Sequence, residues 1–122
     1  MYEVTIIKSF AAAHLLADIG GKCEALHGHN FKVETTVAAE KLNSIGILVD
    51  FRFLKEVLGE VLEEIDHKYL NELTDFAGIN PSAETIAKYI FDKMDARVKI
   101  AGVHMVRVKI WESENAAVTY LP

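Results

Sequence analysis

The chain has a single cysteine, two prolines and one tryptophan among its 122 residues. A lone thiol cannot close an internal disulfide, which excludes a disulfide-stapled secreted scaffold and fits a reducing cytoplasm. No apolar run approaches the ~20 residues that a membrane-spanning helix requires. The first residues, Tyr2 to Phe10, interleave Glu3, Thr5 and Lys8 with apolar side chains, so no charged-then-apolar export signal is expected there. Positive charge in excess is lacking too. Lysine and arginine number 13 against 18 acidic residues, a net charge of −5, which counts against a nucleic-acid or anionic-membrane surface. Repeats, linkers and low-complexity tracts are also missing. What is present is 51% hydrophobic and 25% charged, the balance of a globular protein. The length serves one core and is too short for two ordinary domains. Residues 1–122 therefore read as a single cytoplasmic domain.

Two segments alternate with the period of a strand. Tyr2–Ala13 places Tyr2, Val4, Ile6, Phe10 and then His14 on one parity, and His29–Ala39 follows after the glycine-rich loop Ile19–Lys22. An antiparallel pairing of the two is the simplest arrangement. Phe51, Leu54, Val57, Leu58, Val61, Leu62 and Ile65 form a helical stripe capped by Asp50 and ending near Asp66-His67. A loop over Asn71–Asn80 leads to a second helix opened by Asn80-Pro81-Ser82, with Asn80 or Ser82 as cap and Ile86, Tyr89, Ile90 and Met94 as its inner face. Met105–Ser113 alternates again, with Val106, Val108 and Ile110 on one side, and Ala116–Tyr120 is a last strand. The order ββααββ makes an α+β layer: a four-stranded antiparallel sheet with two helices on one face. Its two open edges invite pairing with further subunits.

Chemistry concentrates between Cys23 and Phe31. His27 and His29, two apart and entering a strand, project from one side. Gly28 between them leaves the opposite face bare. If the first two strands are antiparallel, His14 meets this pair at the same sheet edge. Three neutral imidazoles form the protein ligand set of an open zinc site, and imidazole favours zinc over harder cations. Cys23 admits three readings: a small buried hydrophobe, a thiolate base or nucleophile beside Lys22 and a cation, or a fourth zinc ligand. Asp66-His67 is either an ordinary helix terminus or a carboxylate-oriented acid–base pair. Glu112 continues the parity of Val108 and Ile110, so a carboxylate ends an apolar face. Such a group suits the paired N–H donors of a guanidine-like heterocycle such as a pterin or guanine ring.

Taken together, the motifs Phe10-Ala11-Ala12-Ala13-His14, Cys23 to His29, Gly46 to Phe51, Leu54-Lys55, Asp66 to Asn71, Asn80 to Glu84 and Trp111-Glu112-Ser113 resemble the 6-pyruvoyl-tetrahydropterin synthase family nearly end to end. The three-residue spacing between Cys23 and His27 is similar to its branch of 6-carboxytetrahydropterin synthases of queuosine biosynthesis; the pyruvoyl synthases carry a longer insertion there. A branch of aldolases with glutamate in place of the cysteine is disfavoured by Cys23. Leu15 and Ala25 stand where many relatives are basic, and Ala83 where a hydroxyl residue is usual.

The resemblance implies the tunnelling fold, trimers stacked as hexamers around a barrel, and active sites at subunit interfaces. It implies zinc on His14, His27 and His29, proton transfer by Cys23 with Asp66 and His67, and Glu112 as the anchor of the pterin ring. The implied activity is a zinc-dependent lyase acting on 7,8-dihydroneopterin triphosphate, releasing acetaldehyde and triphosphate and leaving 6-carboxytetrahydropterin. A pyruvoyl synthase that stops after triphosphate elimination is the alternative within the class. A non-catalytic, zinc-stabilised assembly module is the alternative outside it.

Overall fold

A computed structural model describes residues 1–122 except the side chains of Lys22 and Cys23. Strands β1 (Tyr2–His14) and β2 (His27–Ala39) are followed by helix α1 (Phe51–Glu63), a short strand β3 (Lys68–Tyr69), helix α2 (Ala83–Arg97), and strands β4 (His104–Ser113) and β5 (Ala116–Tyr120). The sheet order is β3-β1-β2-β4-β5. It is an α+β sheet of five strands, one more than the alternation pattern reveals. The extra strand, β3, pairs parallel to β1 through only Ala12–Lys68 and Ala13–Tyr69. Two residues are too few to show a period.

The strand parity places Ile6, Phe10, Ala12 and His14 of β1 and Phe31, Val33, Thr35 and Val37 of β2 on the buried face. Glu3, Thr5, Ile7 and Ser9 face outward and are exposed. On β4 the inner residues are Met105, Val108 and Ile110. Val106 is not among them, contrary to the simple alternation, because the β2–β4 register slips between Thr36 and Val37 and inserts an extra residue into β4. A bulge of this kind resets which side chains face the core.

Helix α1 begins where the side chain of Asp50 accepts from the backbone N–H of Arg52. Its stripe of Leu54, Val57, Leu58, Val61 and Leu62 is buried, continued by Ile65. Phe51, at the very first helical position, is exposed instead, and the helix stops at Glu63, short of Asp66-His67. Residues 64–67 form a turn tied by the Asp66 N–H to the Leu62 carbonyl at 2.7 Å. Ser82, not Asn80, caps α2 by accepting from the Thr85 N–H. The buried face of α2 is Ala83, Ile86, Ala87, Ile90, Phe91 and Met94, while Tyr89 is only half-buried. Its hydroxyl donates to Glu64 at 2.6 Å, and the guanidinium of Arg97 donates to the same carboxylate at 2.9 Å, joining the end of α1 to α2. The segment predicted as a loop over Asn71–Asn80 holds 3-10 turns at Leu70–Glu72 and Thr74–Phe76 that bury Leu70 and Phe76. No helix of the described residues is long and apolar enough to cross a membrane.

Leu58 is fully buried, so Leu58→Ala should cost about 2–5 kcal/mol of stability through lost transfer energy and a cavity. Loss of the Asp50 cap in Asp50→Ala should cost about 0.5–2 kcal/mol. Urea midpoints at one protein concentration test both. Equal losses would mean that α1 is not held by its apolar stripe.

Candidate metal centre and active site

The β1–β2 register pairs His14 with His27 and Ala12 with His29. All three imidazoles therefore rise from the inner face at one end of the hairpin. Their ring centroids are 4.5 Å (His14–His27), 4.7 Å (His27–His29) and 5.4 Å (His14–His29) apart. Beneath them Phe10 and Phe31 stack at 4.9 Å, and Phe31 meets the edges of both His14 and His29. The floor of the cluster is apolar.

Second contacts fix how the rings present themselves. His14 Nδ1 lies 2.7 Å from the Pro81 carbonyl, and His27 Nδ1 lies 2.8 Å from the Ala25 carbonyl. A carbonyl oxygen only accepts, so each Nδ1 carries the proton and each Nε2 is left with its lone pair. His14 Nε2 is buried without a hydrogen-bond partner among the described residues. Glu112 Oε1 lies 3.3 Å from it, and the same oxygen is 3.0 Å from His29 Nε2. Burial holds the His29 pKa below its ordinary value, with His27 and His14 acting in the same sense and Glu112 opposing them. Neutral imidazole is the form that binds metal.

His14, His27, His29 and Glu112 thus offer one donor atom each, all within 4.8 Å of one another. The lone pairs of His14 Nε2 and Glu112 Oε1 face each other, an arrangement that repels unless a cation lies between them. Three imidazoles with a carboxylate form a donor set that a divalent transition metal accepts. The residues fit a metal. The sequence placed the three histidines together but treated Glu112 separately, as a group for a heterocycle; the fold brings it into their cluster.

Asp66 and His67 lie on the other side of β1. Asp66 Oδ1 accepts from the Ala11 N–H at 2.9 Å and contacts His67 Nδ1 at 2.9 Å. The Ala11 N–H, followed by the imidazole, holds the Asp66 carboxyl below the usual carboxylate range. The His67 N–H in turn donates to the Ala11 carbonyl at 2.6 Å. This pair of contacts fixes His67 at φ 59°, a left-handed backbone that costs a non-glycine residue about 1–2 kcal/mol. The imidazole stays exposed and shares a hollow of about 460 Å³ with His29, Gly28 and Asn30. The pair lies beyond the last residue of α1, with the carboxylate against Nδ1 and the rest of the ring open to solvent. Cys23 lies in the 3-10 turn Gly21–Glu24, and its side chain lies outside the described residues.

Two residues escaped the sequence reading as contributors to the site. Asn71 accepts from the Leu15 N–H at 3.0 Å and donates to the Leu15 carbonyl at 3.1 Å. Asn80 does the same with Ala17, at 3.0 and 2.9 Å. Each side-chain amide acts as one rung of strand pairing and secures the chain just beyond His14. Nothing in the spacing of a loop asparagine announces such a rung.

With this geometry in view, residues 3–122 match the family described as 6-pyruvoyl tetrahydropterin synthase. The chain belongs to that family. It is 39% identical over 106 residues to the 6-carboxy-5,6,7,8-tetrahydropterin synthase of Synechocystis, covering 82% of this chain and 79% of that one. It is 36% identical over 111 residues to a dihydroneopterin monophosphate aldolase of Pyrococcus furiosus, covering 90% and 89%. The 6-pyruvoyl tetrahydropterin synthase structure from Caenorhabditis elegans superimposes with a TM-score of 0.87 at 27% identity, over 100% of this chain and 97% of that one. Membership makes this chain one of a group of pterin-processing enzymes, with the tunnelling fold that the motifs implied. Relatives named for three different reactions surround it, so the family alone does not choose among them.

Zinc or cobalt ions should stabilise the protein against heat. At free metal 100 times the dissociation constant, linkage gives about 2.7 kcal/mol. His29→Ala should abolish most of that gain at the same metal concentration while leaving the metal-free melting temperature little changed. An identical gain in both proteins would mean that the cluster is not where the ion binds.

Proposed function

We propose that this family member is a zinc-dependent lyase converting 7,8-dihydroneopterin triphosphate to 6-carboxytetrahydropterin, acetaldehyde and triphosphate. It works in the cytoplasm as a step of queuosine biosynthesis. The observation that carries this reading is the convergence of His14, His27, His29 and Glu112 on one point, four residues downstream of Cys23 in the case of His27. Similarity to the Synechocystis synthase and the short spacing from Cys23 to His27 support the carboxy product over the pyruvoyl one. Cys23 also argues against the aldolase reaction.

His14, His27 and His29 would hold the zinc, which when bound would supply Lewis acidity toward the substrate's side-chain hydroxyls. The remaining work belongs to the protein. Cys23, as thiolate, takes and returns that proton. Asp66 holds the Nδ1 side of His67, so the other ring nitrogen is the one free to exchange a proton at the reacting carbon or sulfur. Glu112 receives the paired N–H donors of the pterin ring and sets how deep the side chain reaches. Triphosphate leaves by elimination. The dihydropterin ring is reduced as the side chain is oxidised, so no external reductant is required. Entry of one water and cleavage of the bond between the two outer side-chain carbons and the inner one yields acetaldehyde and the carboxylate. The open edges β3 and β5 suit assembly into the ring of subunits that the resemblance implies, with His67 serving a neighbour's metal.

Mass spectrometry of products from dihydroneopterin triphosphate should show 6-carboxytetrahydropterin with an equivalent of acetaldehyde. A pyruvoyl product without acetaldehyde would move the protein to the other synthase class, and unreacted substrate would end the enzyme reading. Cys23→Ala should keep fold and metal while losing about 10²–10⁴-fold in turnover. If instead that variant loses its metal and unfolds, Cys23 is a structural ligand and the protein is an assembly module.

A further inference from the structure

We propose that Glu112 is the fourth metal ligand in the substrate-free enzyme, and that the pterin ring draws it off the metal on binding, opening the position that the substrate's hydroxyls then occupy. The second half rests on the proposed function; the first does not.

Three observations carry the ligand assignment. The first is distance: one carboxylate oxygen, Oε1, is 3.3 Å from His14 Nε2 and 3.0 Å from His29 Nε2. One carboxylate oxygen thus lies within reach of two imidazole nitrogens at once. The second is polarity. The Pro81 carbonyl keeps the proton of His14 on Nδ1, so Nε2 and the carboxylate present lone pairs to each other. A cation shared between them turns that repulsion into two bonds, and a carboxylate oxygen is an ordinary member of zinc ligand sets.

The third is backbone placement. In the β4–β5 ladder Trp111 pairs with Ala117 and Ser113 with Ala116, so Glu112 is the extra residue of a bulge and has no partner on β5. Alternation already turns Glu112 to the face of Val108 and Ile110, and the bulge frees its backbone from a partner on β5. The same feature leaves Glu112 the least constrained of the four donors, since His14 and His27 are locked by carbonyls and sit in regular pairing. A ligand meant to stay would gain from being held as they are. A ligand meant to leave must be able to turn.

The exchange follows from what the pterin offers. Its ring edge presents two parallel N–H donors, the pattern a carboxylate accepts in bidentate fashion. A carboxylate so engaged has less charge to give the metal. Ring recognition and opening of the metal then become one event, and a molecule lacking the ring leaves the site closed. Two carboxylate jobs that looked like alternatives become successive states of one side chain.

The test uses the full-length protein loaded with Zn²⁺ or Co²⁺ and the isosteric variant Glu112→Gln. Chelator competition without any pterin should show metal affinity reduced by about 10–100-fold or more in the variant. The visible spectrum of the Co²⁺ wild type should change when a pterin without side-chain hydroxyls is added, because such a ligand acts on the metal through Glu112; the variant's spectrum should not respond. Pterin binding is followed separately by ring fluorescence. Unchanged metal affinity together with weakened pterin binding overturns the ligand assignment and leaves Glu112 a ring anchor only. Reduced metal affinity with a spectrum that the bound pterin does not move keeps the ligand and overturns the exchange. A wild type that binds no pterin overturns the proposed function and the exchange with it, while the metal arm still decides on the ligand. Should the variant fold poorly, a crystal structure of the zinc-loaded wild type decides: a Glu112 oxygen about 2.0–2.2 Å from the ion supports the assignment, and one in contact only with solvent overturns it.

Discussion

A buried imidazole nitrogen facing a carboxylate oxygen is the arrangement that strands β1, β2 and β4 hold at one end of the sheet. His14 Nε2 is buried without a hydrogen-bond partner among the described residues, and Glu112 Oε1 stands 3.3 Å away. His14 is fully buried above Phe10 and Phe31 while Glu112 is partly exposed, so a positive charge between them would relieve chiefly the buried nitrogen. Two carbonyls, from Pro81 and Ala25, keep it that way by retaining the imidazole protons on the far side of their rings. A metal entering such a site would find donors already oriented by the polypeptide.

The preparation is distributed unevenly. Strand pairing supplies the histidines, since register alone sets His14 opposite His27 and His29 one pair further in. The connection between α1 and α2 supplies almost everything else. From this one segment Asp66 and His67 bond to Ala11, Asn71 to Leu15, Asn80 to Ala17 and Pro81 to His14. A stretch with little regular structure thereby orders the end of β1 along seven residues. Its conformation is in turn fixed by the burial of Leu70 and Phe76.

This division explains what the sequence could and could not reveal. Alternation in Tyr2–His14 and His27–Ala39, and the stripe Leu54–Leu58–Leu62, are periodic signals, because a side chain's face follows from its index. They are enough to bring three histidines to one sheet edge. Departures from the period are invisible to that logic. The bulge at Val106 put Met105 into the core, and the one at Glu112 left that residue without a partner on β5. Phe51 shares the phase of its helix but lies at the first helical position and stays exposed. The asparagine rungs and the two-residue strand β3 are long-range contacts made by single side chains or single peptide groups. Spacing cannot encode them; only the folded connection can.

That connection is anchored at both ends. At its start, Glu64 takes hydrogen bonds from Tyr89 and Arg97 of α2, and these bonds, the tyrosine's first, hold its carboxyl below the usual carboxylate range. At its end, Ser82 caps the same helix. Both ends of the connection are thus fastened to α2, and α2 packs on β4 and β5 across the sheet from β1. The Pro81 carbonyl that contacts His14 therefore sits at the capped start of α2, and Asp66 and His67 follow the residue that its far end holds. His14 and Glu112 both belong to the sheet. The face of Ile86, Ile90 and Met94, which seats α2 on that sheet, thus fixes where the connection meets the end of β1.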